Sequence, residues 1–315
     1  MQIQDFLARA SLPESVVRLL REASSVTVAR TIDDLEVLAC GSEDQTETTV
    51  AYDLPDGRHI DEVDVVRVRN GISANYREPY MRRRDPECML VADHNPSDKP
   101  HFSDRYDFDF KDLKQETFDW LASQDLAIYG FAMGQPGIGA DALAICPANA
   151  GFFAFGLGLL QGVVDLEDLD REFKAATIIY VAPPFRHTHF DGKQVVVHNR
   201  GEAHEIFSYN LYPGPSAKKG VYGALIELGE QEGWVTAHCS AVQVVTPYDN
   251  MVTYMHEGAS GGGKSEMLQQ PHRLRDGRLL LGENLLTGER RFLEIPRTCD
   301  LQPVCDDMAL CHPSI

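Results

Sequence analysis

The stretch that most constrains the interpretation of this chain is GASGGGKS, residues 258–265. It matches the phosphate-binding loop pattern G-x-x-x-x-G-K-[ST] at every fixed position. Glycines allow positive φ angles and a close approach to a ligand, so successive N–H groups can form a nest for an anion. Lys264 would then contact the β- and γ-phosphates, and the Ser265 hydroxyl would bind a divalent metal. The loop glycines are Gly258, Gly261, Gly262 and Gly263.

The segments on both sides of this loop fit the same interpretation. MVTYM at residues 251–255 predicts a strand that enters the loop. Residues 264–270 predict a helix that starts in the loop and ends before Pro271. A helix N-terminus would add to the attraction for an anion. The alternative is a glycine-rich surface turn, and the complete strand–loop–helix match favours a nucleotide site instead.

Composition and charge exclude several classes of protein. The 315 residues carry a net charge of −19, which disfavours a general binder of nucleic acid or anionic membranes. The most apolar window, residues 142–164, is interrupted by Pro147, Asn149 and Gln161, so it does not predict a membrane span. The N-terminus lacks a signal-peptide pattern, and seven cysteines at wide intervals are typical of a reducing compartment. We therefore expect a soluble, cytoplasmic protein.

The order of the expected elements indicates an α/β protein with a mixed N-terminal domain. Helices are expected at residues 13–23, 111–123, 152–160 and 218–233. Strands are expected at residues 26–30, 35–40, 48–54, 63–69, 88–93, 126–133, 142–146, 194–198, 205–212, 234–245 and 251–255. A Pro/Gly turn, YPGPSA, occupies residues 212–217. We place the domains at residues 1–210 and 211–315.

Three further segments give the loop a specific context. Lys218-Lys219-Gly220 starts the helix after the YPGPSA turn, AHCSA (residues 237–241) lies on the strand before the loop strand, and Asp306-Asp307 follow the loop. Their order resembles phosphoenolpyruvate carboxykinase, in which a Lys-Lys-Gly helix start, a Met-His-Cys-Ser-Ala strand, the phosphate loop and a Gly-Asp-Asp strand end succeed one another. The interval of 19 residues from Lys219 to His238 also resembles that of the family.

The resemblance implies a set of roles. As in that family, the nucleotide would be ATP or GTP, the metal Mn²⁺ or Mg²⁺, and the reaction the conversion of oxaloacetate to phosphoenolpyruvate and CO₂. The implied metal ligands are Lys219, as a neutral amine, His238, Asp307 and, for a second metal, Ser265. The implied catalytic residues are Lys264, Lys219 and Arg84, and the implied substrate residues are Arg84 and Tyr212. The implied nucleotide residues are the four loop glycines with Ser260, Lys264 and Ser265.

The chemistry of these roles is coherent. A lysine binds a metal only when burial and a nearby cation lower its pKa enough to deprotonate it. Imidazole and carboxylate are ligands that Mn²⁺ accepts, and an arginine pairs with a carboxylate through two hydrogen bonds. We therefore expect a nucleotide and a small carboxylate as partners, with no nucleic acid and no membrane.

The departures from the family keep other functions open. The turn before the lysines is Pro-Gly-Pro-Ser-Ala, one residue longer than in the family, and Val242 stands where the family has asparagine. The interval of 43 residues from Lys264 to Asp307 is longer than in the family. One alternative is a kinase that uses the same metal–nucleotide site on another small molecule or on a protein. A second is a non-catalytic nucleotide-binding module.

The chain ends soon after Asp307, before a carboxykinase-type domain would close its sheet. We therefore expect an incomplete nucleotide-binding domain and a longer full-length protein. His187, His189 and His198 could suggest a metal site, but a surface hairpin is the favoured interpretation. Cys299, Cys305 and Cys311 lack the spacing of a zinc site and are interpreted as packed thiols.

Overall fold

The computed structural model describes residues 1–41, 45–69, 71–77, 88–134, 139–259, 261–269, 273–293 and 299–314. The chain is a mixed α/β protein that divides into two compact units, Met1–Leu225 and Ile226–Ile315. The division falls inside the last helix, downstream of the boundary expected at residues 210 and 211. None of the described helices is long and apolar enough to cross a membrane.

The first unit contains most of the regular elements. Its helices are α1 (Ile3–Arg9), α2 (Glu14–Glu22), α3 (Ile32–Cys40), α4 (Phe110–Ala122), α5 (Gly151–Gln161), α6 (Phe185–Thr188) and the start of α7 (Lys219–Gln231). Its strands are β1 (Ala10–Ser11), β2 (Ser25–Val28), β3 (Glu47–Asp53), β4 (His59–Val68), β5 (Gly71–Tyr76), β6 (Met89–Val91), β7 (Asp125–Met133), β8 (Ala140–Pro147), β9 (Phe173–Val181), β10 (Val196–Arg200) and β11 (His204–Ser208).

An eight-stranded mixed sheet organises this unit. Its order is β2-β7-β8-β9-β11-β10-β6, and β1 adds to β9. The β7–β8 and β10–β11 pairs are antiparallel, whereas β2–β7, β8–β9, β9–β11 and β6–β10 are parallel. Strands β3, β4 and β5 form a separate antiparallel sheet. Parallel strands need coverage on both faces, which explains their nearly continuous apolar sequences.

Helices cover the main sheet and enclose its core. On one face, apolar residues of α1, α2 and α4 form a single buried cluster with residues of β7, β8, β9 and β11. The alternate residues of β7 and β8 point to the other face, where α5 packs. Helix α5 in turn packs on α3, and a Cβ at Gly151 or Gly158 would clash with Leu38 or Leu35. These two glycines therefore set the close approach of α3 and α5.

The segment LEVLAC was expected to be a strand, and it is instead part of α3. The Thr31 side chain accepts a hydrogen bond from the Asp34 N–H, and the Asp34 carboxylate accepts one from the Thr31 N–H. This capping box stabilises a helix start. Leu35, Ala39 and Cys40 are buried along one helical face. The start signal upstream of a short apolar run therefore outweighs its strand-like composition.

Among its described residues, the second unit contains the end of α7 and three small antiparallel sheets. Its strands are β12 (Val235–Ala237), β13 (Cys239–Val245), β14 (Met251–Glu257), β15 (Leu279–Glu283), β16 (Arg290–Leu293), β17 (Asp300–Cys305) and β18 (Ala309–Cys311). The sheets are β14-β13-β17, β12-β18 and β15-β16. The single strand expected over residues 234–245 is thus two strands, β12 and β13, separated at His238. This break takes His238 out of regular strand pairing.

Candidate functional site

The glycine-rich loop follows β14 in the second unit, where the motif predicted it. Strand β14 ends at Glu257, and the Gly258 N–H then donates to the His238 carbonyl at 3.5 Å. Gly261 and Gly263 have φ angles of 83° and 78°, in the region that favours glycine. The Gly262 N–H donates to the Ala259 carbonyl at 3.1 Å and closes a tight turn. The loop is therefore curved on itself at its centre.

The helix expected over residues 264–270 is wrong. A single 3₁₀ turn, Ser265–Leu268, follows the loop, and Gln269 is already extended. Only Leu268 of this turn is buried, and a short helix without a packed apolar face is not stable in water. Pro271 lies outside the described residues. Any anion held here would consequently depend on the loop N–H groups and on Lys264 rather than on a helix dipole.

Lys264 folds back across the loop. Its Nζ donates to the carbonyl oxygens of Gly258 at 3.0 Å and Ala259 at 3.2 Å. The fully buried Ser240 hydroxyl donates to the Lys264 carbonyl at 2.7 Å and fixes the lysine backbone against β13. An ammonium has three N–H donors, and these carbonyls account for two. The third donor is the natural contact for a ligand oxygen.

Two further contacts lie beside this loop, and they involve three predicted site residues, Ser265, His238 and Asp307, together with Asp306, which was not predicted. The Ser265 hydroxyl donates to Asp306 Oδ1 at 2.8 Å, across 41 residues of sequence. His238 Nε2 and Asp307 Oδ1 are 2.9 Å apart, across 69 residues. Asp307 has a φ angle of 94°, a rare conformation for a residue with a side chain. Such backbone strain is concentrated at functional sites.

The donor atoms in the second unit fit a hard divalent cation in part. His238 and Asp307 supply an imidazole nitrogen and a carboxylate oxygen at the separation of neighbouring ligands, and Ser265 and Asp306 supply oxygens. Within the described residues, no group of three or more His, Cys, Asp and Glu could hold a metal ion by itself. Mg²⁺-type ions are commonly bound by one or two carboxylates together with phosphate oxygens and water. A metal held here would therefore need oxygens from phosphate or water in addition to these side chains.

Two cysteines lie under this region as packed thiols. Burial raises the pKa of the Cys239 thiol to about 11, and burial also raises the pKa of Cys305. Cys305 Sγ lies 4.0 Å from the Cys239 carbonyl oxygen. Both side chains are therefore protonated at neutral pH, which disfavours a role as metal-binding thiolates.

The remaining predicted residues belong to the first unit or lie outside the described residues. Tyr212 is half-buried, its ring meets the Tyr76 ring edge-on at 6.1 Å, and its N–H donates to Asn210 Oδ1 at 2.9 Å. Lys219 begins α7, and its Nζ lies 5.0 Å from the centre of the Tyr222 ring. Arg84 and Ser260 fall on residues that the structure does not describe.

A buried ionic cluster in the first unit was not anticipated. The Glu62 carboxylate is fully buried and accepts hydrogen bonds from Arg186 at 3.3 Å, from His187 at 2.8 Å and from the Tyr52 hydroxyl. His187 lies in the short helix α6, so its assignment to a surface hairpin is wrong. The cluster fixes α6 to the β3–β4 hairpin, since breaking a buried ion pair is costly.

The position of Glu62 explains why periodicity missed it. Val50 pairs with Val63 and Ala51 with Asp61, so Glu62 is the extra residue of a β-bulge. A bulge redirects one side chain and breaks the alternation on which strand assignment depends. Tyr52 also borders a cavity of about 320 Å³ that is lined in addition by Trp120, Gln124 and Asn149.

Comparison with known proteins places the chain in a family. A search of curated proteins gives no match. The family model described as "Domain of unknown function (DUF4914)" matches residues 12–315, nearly the whole chain. The chain therefore belongs to this family, whose description assigns no function.

Proposed function

We propose that residues 258–265 bind the phosphates of a nucleoside triphosphate, ATP or GTP, for metal-dependent phosphoryl transfer resembling that of phosphoenolpyruvate carboxykinase. One observation carries this proposal. Lys264 is only 8% exposed, and within the described part of the chain its Nζ contacts two carbonyl oxygens and no carboxylate. A buried charge is costly unless an opposite charge compensates it. A bound phosphate would supply that charge.

The residues of the second unit would have the following roles in phosphoryl transfer. Lys264 donates its third N–H to a phosphate oxygen and neutralises charge that develops during transfer. The Ser265 hydroxyl donates a hydrogen bond to Asp306, which leaves the lone pairs of its oxygen available to a cation. His238 and Asp307 together present a nitrogen and an oxygen ligand. Together with Ser265 they would hold Mn²⁺ or Mg²⁺, which would supply positive charge to offset that of the phosphates.

The carboxykinase reaction is the first candidate because His238, the loop and Asp307 follow one another along the chain in the same order as in that family. Its substrate side, for which the resemblance names Arg84 and Tyr212, rests on sequence alone. In this reaction oxaloacetate loses CO₂, the oxygen of the resulting enolate bonds to the γ-phosphorus of the nucleotide, and the nucleoside diphosphate leaves. The protein contributes mainly positioning and charge neutralisation.

A kinase that acts on another acceptor is the second candidate, and the YPGPSA turn favours it. The turn does not form an ordinary bend but a π-helix, Gly214–Lys218, a structure that occurs often at functional sites. Within it the Ser216 hydroxyl is buried and has no hydrogen-bond partner among the described residues. The segment that faces the organic substrate in the family thus has a conformation and a polar group that suit a different acceptor.

Calorimetric titration of the full chain with ATP, with and without Mn²⁺, tests the shared part of both candidates. We expect Mn²⁺ to tighten binding. Lys264→Ala should weaken binding with or without metal, by about 10–100-fold, because a hydrogen bond to a charged group contributes about 1.5–3 kcal/mol. His238→Asn should remove only the gain due to Mn²⁺.

Matched controls remove the same side-chain types elsewhere. Lys174→Ala deletes an exposed lysine, and His256→Asn changes a histidine on the loop strand; neither should alter the Kd. Absence of ATP binding, or equal binding by Lys264→Ala, contradicts the proposal. If ATP binds, exchange of labelled bicarbonate into oxaloacetate identifies a carboxykinase, and turnover without exchange identifies another acceptor. Binding without turnover indicates a nucleotide-binding module.

A further inference from the structure

Strand β14 is an edge strand that the second unit leaves open. Among the described residues it pairs with β13 alone, as the first strand of the sheet β14-β13-β17. Six of its seven residues are exposed, and they include four large apolar side chains, Met251, Val252, Tyr254 and Met255. A strand that is exposed on both faces and along one edge presents backbone and apolar side chains together.

The hydrogen-bond register shows which backbone groups face the open edge. The Thr246 N–H donates to the Asn250 carbonyl, and the Gly258 N–H donates to the His238 carbonyl. In an antiparallel pair, residues alternate between hydrogen-bonded and non-hydrogen-bonded positions. Val252, Tyr254 and His256 therefore bond to β13. The N–H and C=O groups of Met251, Thr253, Met255 and Glu257 point away from it.

The opposite edge of the same sheet is protected, and this contrast gives β14 its significance. Strand β17 contains Pro303, which has no N–H to donate, and its pairing with β13 is interrupted by a register shift at Ala241 and Val242. Proline and bulges are the devices by which edge strands avoid pairing with other chains. Strand β14 has no proline and no lysine, and its register with β13 is regular from end to end.

We propose that β14 is a self-association site, at which a second copy of this chain adds its own β14 in antiparallel orientation. Antiparallel pairing of identical strands creates a two-fold axis, the commonest symmetry of homodimers. The two three-stranded sheets would then form one continuous sheet of six strands. The axis would pass beside Tyr254, the middle residue of the strand.

Centring on Tyr254 uses every outward backbone group. Met251 then pairs with Glu257 of the second copy, and Thr253 pairs with its Met255, so that all four outward-facing residues of each strand are hydrogen-bonded. Tyr254 meets its own counterpart at a non-hydrogen-bonded position, where side chains approach most closely and aromatic pairs are favourable.

The charges of β14 are also compatible with self-pairing. Glu257 is its only acidic residue and His256 its only basic residue, and in this register they lie opposite Met251 and Val252 rather than opposite their own counterparts. Each whole chain carries a net charge of −19, which opposes association at long range. Because the interface is one strand wide, we expect a weak dimer. The dimer population should rise with protein concentration, and the affinity should rise with salt, which screens the repulsion between the chains.

Disulfide trapping of Tyr254→Cys tests the register. Cα atoms at a non-hydrogen-bonded pair are about 4.5 Å apart, within the range that a disulfide spans. We expect rapid cross-linking to a dimer under mild oxidation. Tyr248→Cys, more exposed but outside the strand, should cross-link no faster than the wild-type chain with its seven native cysteines. Equal rates for both variants would overturn the proposed register.

Sedimentation velocity over a range of concentrations tests the interface itself. Tyr254→Lys would place two ammonium groups directly opposite each other, so we expect association at least about tenfold weaker than in the wild type. Val304→Lys on β17 introduces the same charge at a side chain of almost equal exposure, 51% against 52%, and should leave association unchanged. A wild-type chain that stays monomeric at all concentrations and salt levels, or equal effects of the two variants, would overturn the proposal.

Discussion

The two units bury their apolar side chains to very different extents. Of the 17 large apolar residues that are exposed in the described part of the chain, 13 lie in the second unit, between Ile226 and Val304, although this unit is the smaller. Its buried apolar residues are Ala237, Cys239, Ala241, Val242, Leu268 and Leu279, several of them small. The first unit instead encloses an extensive cluster of large aliphatic and aromatic side chains.

This difference indicates that the two units depend on different sources of stability. The first unit gains its stability from apolar surface removed from water. The second unit has thin sheets, and it carries the loop proposed to bind a nucleotide and the strand proposed to bind a second copy. A ligand or partner that binds only the folded state stabilises it by mass action. Both of these proposed surfaces thus lie in the unit with the smaller core.

The largest effect is expected in the core of the first unit. Phe207 is fully buried and packs on Phe110, Phe118 and Tyr180, with ring centres 4.6–6.2 Å apart. Phe207→Ala should lower the free energy of unfolding by about 3–5 kcal/mol, because it removes a large buried side chain and leaves a cavity. Urea unfolding checks this value.

The two tryptophans allow the measurement to be assigned. Trp120 lies in the first unit and Trp234 in the second, and the chain has no others. A Trp234→Phe background leaves Trp120 as the fluorescent reporter of the first unit. Leu159→Ala, at an exposed position of α5, is the control and should change the free energy by less than about 0.5 kcal/mol. Similar losses of unfolding free energy for Phe207→Ala and Leu159→Ala would contradict the view that burial in its core stabilises the first unit.

The sequence predicts some elements better than others for a physical reason. Strands such as β7 and β8 are continuous apolar segments, and α2 and α4 have helical spacing, so burial dominates their structure. The predictions of secondary structure are wrong where local hydrogen bonding, rather than burial, determines the backbone conformation. The Thr31 capping box turns a strand-like run into α3, the bulge at Glu62 breaks alternation, and the strand is interrupted at His238.

The candidate site also contains both features that the sequence predicts and features that it does not predict. The motif predicts the loop and the strand before it, because glycine spacing encodes backbone conformation. It does not predict the 3₁₀ turn after Lys264, which reflects how little apolar surface that segment can bury. Contacts across 41 and 69 residues, such as Ser265 with Asp306 and His238 with Asp307, follow from the fold of the whole unit. Periodicity contains no information about them.

An intermediate effect is expected from pH, again in the first unit. His198 is buried on β10, and burial lowers its pKa well below the usual value of a histidine, as do the neighbouring His204, Lys99 and Arg200, whereas Asp93 acts in the opposite direction. A histidine in the unfolded chain binds a proton below about pH 6.5, and His198 in the folded chain does not. Stability from this residue is therefore present above pH 6.5 and is lost as the pH falls.

The size of this loss approaches about 1.4 kcal/mol per pH unit below 6.5. Unfolding of the Trp234→Phe chain at several pH values between 6.5 and 5 measures it. His198→Asn should flatten the pH dependence by about that slope, whereas His94→Asn, at an exposed position in the same unit, should leave it unchanged. If His198→Asn and the parent chain have the same slope, the buried histidine does not control the acid sensitivity.

The smallest effect is expected at the tip of the β15–β16 hairpin, where the second unit exposes Leu286 almost completely, at 97%. The turn does not depend on this side chain, because Asn284 Oδ1 accepts hydrogen bonds from the N–H groups of Leu286 and Thr287. In a Trp120→Phe background, Leu286→Ala should therefore change the unfolding free energy reported by Trp234 by less than about 0.5 kcal/mol.

The same substitution in the same hairpin provides the contrast. Leu279 is only 6% exposed, so Leu279→Ala should cost at least about 2 kcal/mol. The difference between these two variants measures how far exposure, rather than residue type, determines the contribution of a leucine in the second unit. A loss above about 1 kcal/mol for Leu286→Ala would mean that another surface covers the hairpin tip in solution. Leu286 would then be an exception to the contrast between a first unit that buries its apolar side chains and a second unit that exposes them.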